Sequence, residues 1–264
     1  MKRENSLTDP HENRRRLLTV GSPDPSVLVS AIIVAAGRGH RFGSELPKQY
    51  VPLAGATAFR RSVSAFLEVA RIGLVCAVIH PDDADLCSES LAGLDDPRLL
   101  TPVHGGTTRA SSVRLGLESL ACHAPGLVLI HDAARPFVPC RVIEDVIDAL
   151  QDADGACAAL PIVDALWKTD DGRAQSPVAR DGLWRAQTPQ GFHFDRILSA
   201  HRASDGSAAD DVAVAREHGL IVKLVMGSER NYKITLPSDL DRALGDIEAT
   251  VDVPSRRSAA RAAV

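Results

Sequence analysis

The stretch Ala31-Ile32-Ile33-Val34-Ala35-Ala36-Gly37-Arg38-Gly39-His40-Arg41-Phe42, followed by Pro47-Lys48-Gln49-Tyr50, decides the reading of this chain. An apolar run of strand length ends in a turn of small residues and glycine. Cations follow, and then a lysine in a turn that proline fixes. A buried strand opening into a loop with little side-chain bulk lets backbone N–H groups approach phosphate oxygens. Arg38, Arg41 and Lys48 bring positive charge to the same place, so the pattern reads as a loop for a nucleoside triphosphate. The generic nucleotide motifs do not explain it. The third glycine of a dinucleotide fingerprint is missing, and so is the Gly-Lys-Ser/Thr of a P-loop.

Outward from this loop the chain alternates. Short apolar runs lie at Ala31–Ala35, Leu74–Ile79, Leu99–Val103, Leu127–Ile130, Ala156–Leu160 and Leu220–Val225. Between several of them lie amphipathic segments of helical period, at Thr57–Ala70, Thr108–Ala121, Val142–Leu150 and Ile197–Ala203. The stripes Val63, Phe66, Leu67, Ala70 and Val113, Leu117, Leu120 read as core. This alternation predicts an α/β fold with a mostly parallel, Rossmann-like sheet. Ligands of such sheets bind beyond the carboxyl ends of the strands, where the glycine loop and His131-Asp132 fall. One segment departs from the pattern. Residues 162–190 are turn-rich and hold both tryptophans, Trp167 and Trp184, so they read as a protruding β-arm with a partner surface.

The 264 residues suffice for one large core or two small domains. We read residues 27–251 as one domain, with disordered tails at 1–26 and 252–264. The apolar content of 45% and the net charge of −4 fit a globular chain and argue against nucleic-acid binding. No apolar run reaches membrane-spanning length. Arg14-Arg15-Arg16 is not followed by a signal core, because Val20 to Pro25 breaks it. Five cysteines without a C-x-x-C pair suit a reducing cytoplasm, with Cys76 and Cys157 in the core.

Three further constellations carry chemistry. In His131-Asp132-Ala133-Ala134-Arg135-Pro136, Asp132 suits a hard cation such as Mg²⁺ and Arg135 suits a phosphate. Equally, Asp132 caps the next turn with Arg135 as its partner, and His131 is structural. Gly105-Gly106-Thr107-Thr108-Arg109-Ala110-Ser111-Ser112 is either an anion- or base-reading turn or a plain helix start capped by Thr108. Lys233, in Asn231-Tyr232-Lys233-Ile234-Thr235, stands at the entrance of a short strand.

Taken in order, these motifs resemble the 2-C-methyl-D-erythritol 4-phosphate cytidylyltransferases over about residues 29–250. The wording is also similar to the cytidylyltransferase half of fused two-enzyme chains. The resemblance implies a nucleotidyltransferase (GT-A-like) fold and a homodimer with crossing arms. It implies a cytoplasmic enzyme that joins CTP to a polyol phosphate with Mg²⁺. Arg41 and Lys48 would stabilise the transition state. Ala35, Ala36 and Gly37 would meet the triphosphate through backbone, and Gly106, Thr107, Ser112 and Ala133 would face cytosine and ribose. Asp132 would hold Mg²⁺. With Lys233 it would organise the α-phosphate and the incoming phosphate, while Arg135, Thr188 and a neighbouring subunit's Arg180 hold the acceptor.

Two positions depart from the family. Ala165 and Ala209 stand where threonine hydroxyls usually contact the acceptor. Hydrogen bonds to charged groups contribute about 1.5–3 kcal/mol each, so losing two weakens acceptor binding roughly 10²-fold unless something compensates. This leaves two other readings: a cytidylyltransferase for another polyol phosphate such as ribitol 5-phosphate, and a non-catalytic CTP-binding paralogue.

Overall fold

The computed structural model describes residues 27–38 and 46–251. The expected tails at 1–26 and 252–264 lie outside these residues, and so does Arg41. In chain order come β1 (Val29–Ala35), the short pair β2 (Pro52–Leu53) and β3 (Ala56–Thr57), α1 (Ala58–Leu67), β4 (Ile72–Ile79), α2 (Ala84–Leu91), β5 (Val103–His104), α3 (Arg109–Leu120), β6 (Leu127–Asp132) and α4 (Cys140–Ala149). Then follow β7 (Gly155–Pro161), β8 (Leu166–Asp170), β9 (Arg173–Val178), β10 (Trp184–His193), α5 (Phe194–Ala203), α6 (Asp211–Glu217), β11 (Val222–Met226) and α7 (Pro237–Val251).

Seven strands form one sheet in the order β11-β7-β10-β6-β1-β4-β5. Pairing is parallel except at β10, which runs antiparallel to both β6 and β7. Ala31, Ile32 and Ile33 of β1 are wholly buried. That explains their unbroken apolar run, because both faces of the sheet are covered. On one face α1 and α4 contribute Val63, Phe66, Val142, Val146 and Ile147. On the other, α3, α5 and α6 contribute Val113, Leu117, Leu120, Ile197 and Val214. The chain passes from β1 outward to β4 and β5, then returns across β1 to β6. Strand order therefore reverses between β1 and β6, which opens a crevice at their carboxyl ends.

Several sequence readings need correction. Helix α1 ends at Leu67, so Ala70 is exposed and Val69 takes the buried place. The run Leu99–Val103 is not a strand throughout. It makes one bridge, Leu99 to Val75, and enters the sheet only at Val103. The segment around Lys233 is extended but is no strand. The arm is shorter than 162–190, because β10 is buried in the main sheet from Gln187 onward. What projects is the β8–β9 hairpin, exposed along nearly its whole length. Asp171 and Gly172 close it with φ of 46° and 74°, the left-handed pair that a two-residue hairpin turn requires. Trp167, on the hairpin, and Trp184, at the start of β10, are both exposed. Cys76 and Cys157 are buried, and all five cysteines are free.

Candidate active site

A pocket of about 480 Å³ fills the crevice. Its lining brings together Ala35, Ala36, Gly37, Lys48, Gly106, Thr107, Ser112, Asp132, Ala133 and Lys233, separated by up to two hundred positions in sequence. Local structure explains each placement. Gln49 donates to the carbonyls of Ala35 (2.6 Å) and Gly37 (3.1 Å), so the Pro-Lys-Gln-Tyr turn is fastened to the glycine turn. Pro47, with φ −58°, starts the single 3₁₀ turn that carries Lys48. A Cβ on Gly37 would meet open space, so bare backbone faces the cavity. A Cβ on Gly105 would lie 2.5 Å from the Cβ of Ala36 and 2.7 Å from Ser112 Oγ. Only glycine lets the start of α3 approach the first turn this closely.

The structure shows the capped helix start that the Gly105–Ser112 segment predicts. Thr108 caps α3, accepting from the Ser111 N–H at 3.0 Å and completing a capping box. The residues around that cap also line the pocket.

Asp132 closes β6 and is the electrostatic centre of the site. Lys233 Nζ donates to its Oδ2 at 2.8 Å, and Arg109 Nε lies 3.4 Å from Oδ1. Arg135 Nε stands 3.8 Å from Oδ2. Burial alone would raise the pKa of this carboxyl. Lys233 first, then Arg109 and Arg135, outweigh burial and hold it well below the ordinary carboxylate range. Lys233 reaches it because its segment is tied to the β6 turn. The Ile234 N–H donates to Ala134 O at 2.8 Å, and Arg135 donates to Asn231 O at 2.7 Å.

Thr188 and Arg135 come to Asp132 from behind and do not line the pocket. His131 Nε2 is 3.1 Å from Arg135 O, a carbonyl that only accepts, so Nε2 carries the proton. Nδ1 is therefore an acceptor, and the Thr188 hydroxyl, 2.9 Å away, donates to it. The same hydroxyl accepts from the Asp132 N–H at 3.1 Å. Thr188 thus holds the backbone of Asp132, and donation to a phosphate would require its bond to His131 to exchange. Arg180 lies on the exposed arm, outside the pocket lining, and donates to Val163 O.

His131 is wholly buried, and burial pushes its pKa down to about 4. The unfolded chain takes up this proton near pH 6.5, whereas the folded chain does so only near 4. Its contribution to stability is therefore complete above about pH 6.5. It is lost as pH falls toward 4, on the order of 3 kcal/mol over that window. In thermal melts from pH 7.5 to 4.5 we expect the wild-type midpoint to fall more steeply than that of His131→Gln. Equal slopes would count against a buried neutral imidazole.

The sequence reading missed Arg109 as a site residue. Its Nη2 donates to Asp211 at 2.7 Å, and Asp211 is wholly buried at the start of α6. Burial would raise the Asp211 pKa, but Arg109 and His201 hold it low. His201 Nε2 lies 3.2 Å from the other oxygen of Asp211, too oblique for a hydrogen bond. Arg109 stays charged: burial opposes its charge, but Asp211 and Asp132 together raise its pKa.

A mostly parallel α/β sheet with a small-residue turn, two lysines and one carboxylate at its switch point is an architecture that suits a phosphate-bearing nucleotide. The chain belongs to the 2-C-methyl-D-erythritol 4-phosphate cytidylyltransferase (IspD) family, whose sequence model matches residues 29–248. It is 51% identical over 213 residues to the bifunctional enzyme IspD/IspF of Paramagnetospirillum magneticum, covering 80% of this chain and 55% of that one. It is 48% identical over 214 residues to the 2-C-methyl-D-erythritol 4-phosphate cytidylyltransferase of Cereibacter sphaeroides, covering 81% and 94%. The chain thus spans about half the length of bifunctional relatives. The solved cytidylyltransferase of Thermus thermophilus superposes with a TM-score of 0.66 at 31% identity, covering 83% of this chain and 98% of that one.

Proposed function

We propose that this chain transfers CMP from CTP to 2-C-methyl-D-erythritol 4-phosphate, releasing pyrophosphate. One observation carries the reading: Lys48, Asp132 and Lys233 meet the Ala35–Gly37 turn in one pocket of a chain that belongs to this family. The acceptor phosphate attacks the α-phosphorus as an anion, so no general base is needed. Positioning and neutralisation of charge do the work. Ala35, Ala36 and Gly37 offer backbone to the triphosphate, while Gly106, Thr107, Ser112 and Ala133 frame the nucleoside. Lys48, with Arg41, offsets charge that builds on the α-phosphoryl group. Lys233, set by Asp132, receives the incoming phosphate, while Arg135 and Thr188 brace the turn behind it.

Mg²⁺ is part of this proposal. Among the described residues there is no cluster of three metal-ligating side chains. One carboxylate at the pocket wall still suits a cation that arrives on phosphates and keeps several waters. When bound, Mg²⁺ neutralises phosphate charge beside Asp132. Exposed Trp167 on the hairpin and exposed Trp184 at the start of β10 support a homodimer in which Arg180 serves the neighbouring site. The free cysteines suit the cytoplasm, and no described helix is long and apolar enough to cross a membrane.

Ala165 and Ala209, both exposed, favour a second reading with another polyol phosphate as acceptor. The test is pyrophosphate release from CTP and Mg²⁺ with methylerythritol 4-phosphate, beside ribitol 5-phosphate and a control without acceptor. Release with the first alone is expected. Release only with ribitol 5-phosphate would move the chain to the second reading. Tight CTP binding without release from either would favour a non-catalytic paralogue.

A further inference from the structure

Arg38 was expected to bring charge to the triphosphate, and the structure gives it different work. Its Nη2 donates to Asp82 Oδ2 at 2.5 Å and to His80 Nδ1 at 2.7 Å, while Nη1 donates to Asp83 Oδ1 at 2.9 Å. All three partners belong to the turn that follows β4. The Asp82 N–H also donates to His80 Nδ1, at 3.2 Å. That ring nitrogen is thus an acceptor, and it stands 3.5 Å from the Asp82 carboxylate.

Asp83 is 2% exposed. Among the described residues its second oxygen has no hydrogen bond and Arg38 is the cation paired with this carboxylate. Moving Arg38 toward a phosphate would leave a buried charge bare, which is strongly unfavourable. Gln49 holds the same turn from its other side through the carbonyls of Ala35 and Gly37. Arg38 and His80 both line the pocket, so the clamp forms part of its wall.

We propose that Arg38 is a positioning residue for the nucleotide site. It fastens the end of the glycine turn to the turn after β4 through Asp82, Asp83 and His80, and it does not itself hold the triphosphate. The backbone that meets the nucleotide is then ordered before the ligand arrives, so binding does not have to order it. The inference rests on reading the pocket as the CTP site.

The two roles predict opposite signs at Asp83. If Arg38 held phosphate, Asp83→Asn would release the guanidinium and remove a repelling charge, so CTP would bind more tightly. If Arg38 is a clamp, Asp83→Asn loosens the turn as Arg38→Met does, and both weaken CTP binding. The test is calorimetric titration of the full chain with CTP and Mg²⁺, without acceptor. Arg38→Met and Asp83→Asn are each expected to weaken binding roughly tenfold, with the double variant no weaker than the poorer single. Turnover at saturating CTP should change less than binding does. Because Asp83 is buried, exposed Asp82→Asn is a second variant that keeps the fold, and it too should weaken binding.

Tighter binding in Asp83→Asn or Asp82→Asn, or additive losses in the double variant, would overturn the clamp. Amide exchange at Ala36–Arg38, measured without nucleotide, reads the clamp separately and should be faster in Arg38→Met and Asp83→Asn. A wild-type chain that fails to bind CTP would defeat the CTP reading, and exchange rates would then decide the clamp alone. Unchanged rates there would overturn it.

Discussion

Lys48→Ala is expected to lower kcat by about 10²–10³-fold while CTP affinity falls less than about tenfold, the pattern of a donor aimed at charge that develops in the transition state. The structure gives the reason for the split. Lys48 sits on a turn fixed by Pro47 and bonded to the glycine turn through Gln49, so its backbone does not need to reorganise on binding. The Ala35–Gly37 backbone, Arg109 and Lys233 line the same pocket and would share ground-state CTP with Lys48. Losing one cation out of several moves binding little. The α-phosphoryl group gains charge as it becomes pentavalent, and a mobile water is a poor substitute for a positioned ammonium. Pre-steady-state turnover beside calorimetric CTP titration separates the two quantities. Equal losses in kcat and affinity would assign Lys48 to uniform binding instead.

This placement of Lys48 was legible in the sequence, and so was most of the parallel half of the sheet. Ala31–Ala35 and Leu127–Ile130 are apolar without interruption because neighbours cover both of their faces, and the turns after them hold the chemistry. The antiparallel strand was not legible. Residues 184–193 carry buried Gln187 and Gln190, and polar residues do not read as core. Their amides are satisfied by partners far along the chain. Gln187 donates to Ser228 O, while Gln190 donates to Asp210 and accepts from the Asp211 N–H. Polarity that is fully hydrogen-bonded can be buried at little cost, and a local pattern does not reveal the partner.

Arg109 and Asp211 escaped notice for the same reason. Asp211 follows another aspartate at a helix start, and nothing local marks it for burial. Its burial follows from an arginine 102 positions away. Arg38 is the converse case. Its neighbours in sequence form a phosphate loop, and sequence alone cannot show that His80, Asp82 and Asp83 already surround its guanidinium. Motif order identifies which residues gather at the site, and only long-range pairing decides which of them face the ligand.

Asp132→Asn should separate stability, binding and turnover, because one carboxylate serves all three. The amide keeps the shape and removes the charge that Lys233, Arg109 and Arg135 share. Breaking a fully buried ion pair costs about 3–5 kcal/mol. Here the loss is smaller, about 2–3 kcal/mol, because the Lys233 side chain is 36% exposed and water takes up part of its charge. Arg109 also keeps Asp211, and Arg135 keeps the Asn231 carbonyl. The thermal midpoint should therefore fall by roughly 5–10 °C.

The folded-state pKa of Asp132 is depressed, so its stabilisation is present above the ordinary carboxylate range near pH 4. It is lost only as pH falls below that range toward the depressed value. The gap between wild type and variant should accordingly stay constant from pH 8 to 5. A gap that closed within that interval would mean the three cations do not hold Asp132. Without Mg²⁺, CTP binding should move the other way: with one negative charge removed from the pocket wall, the tetra-anionic nucleotide should bind as tightly as before or more tightly. Turnover should still fall by at least about 10²-fold, because Lys233 is no longer aimed by its partner. With Mg²⁺ present, weaker CTP binding in Asp132→Asn is expected, because the carboxylate is proposed to meet the nucleotide's cation, and unchanged binding there would count against that role.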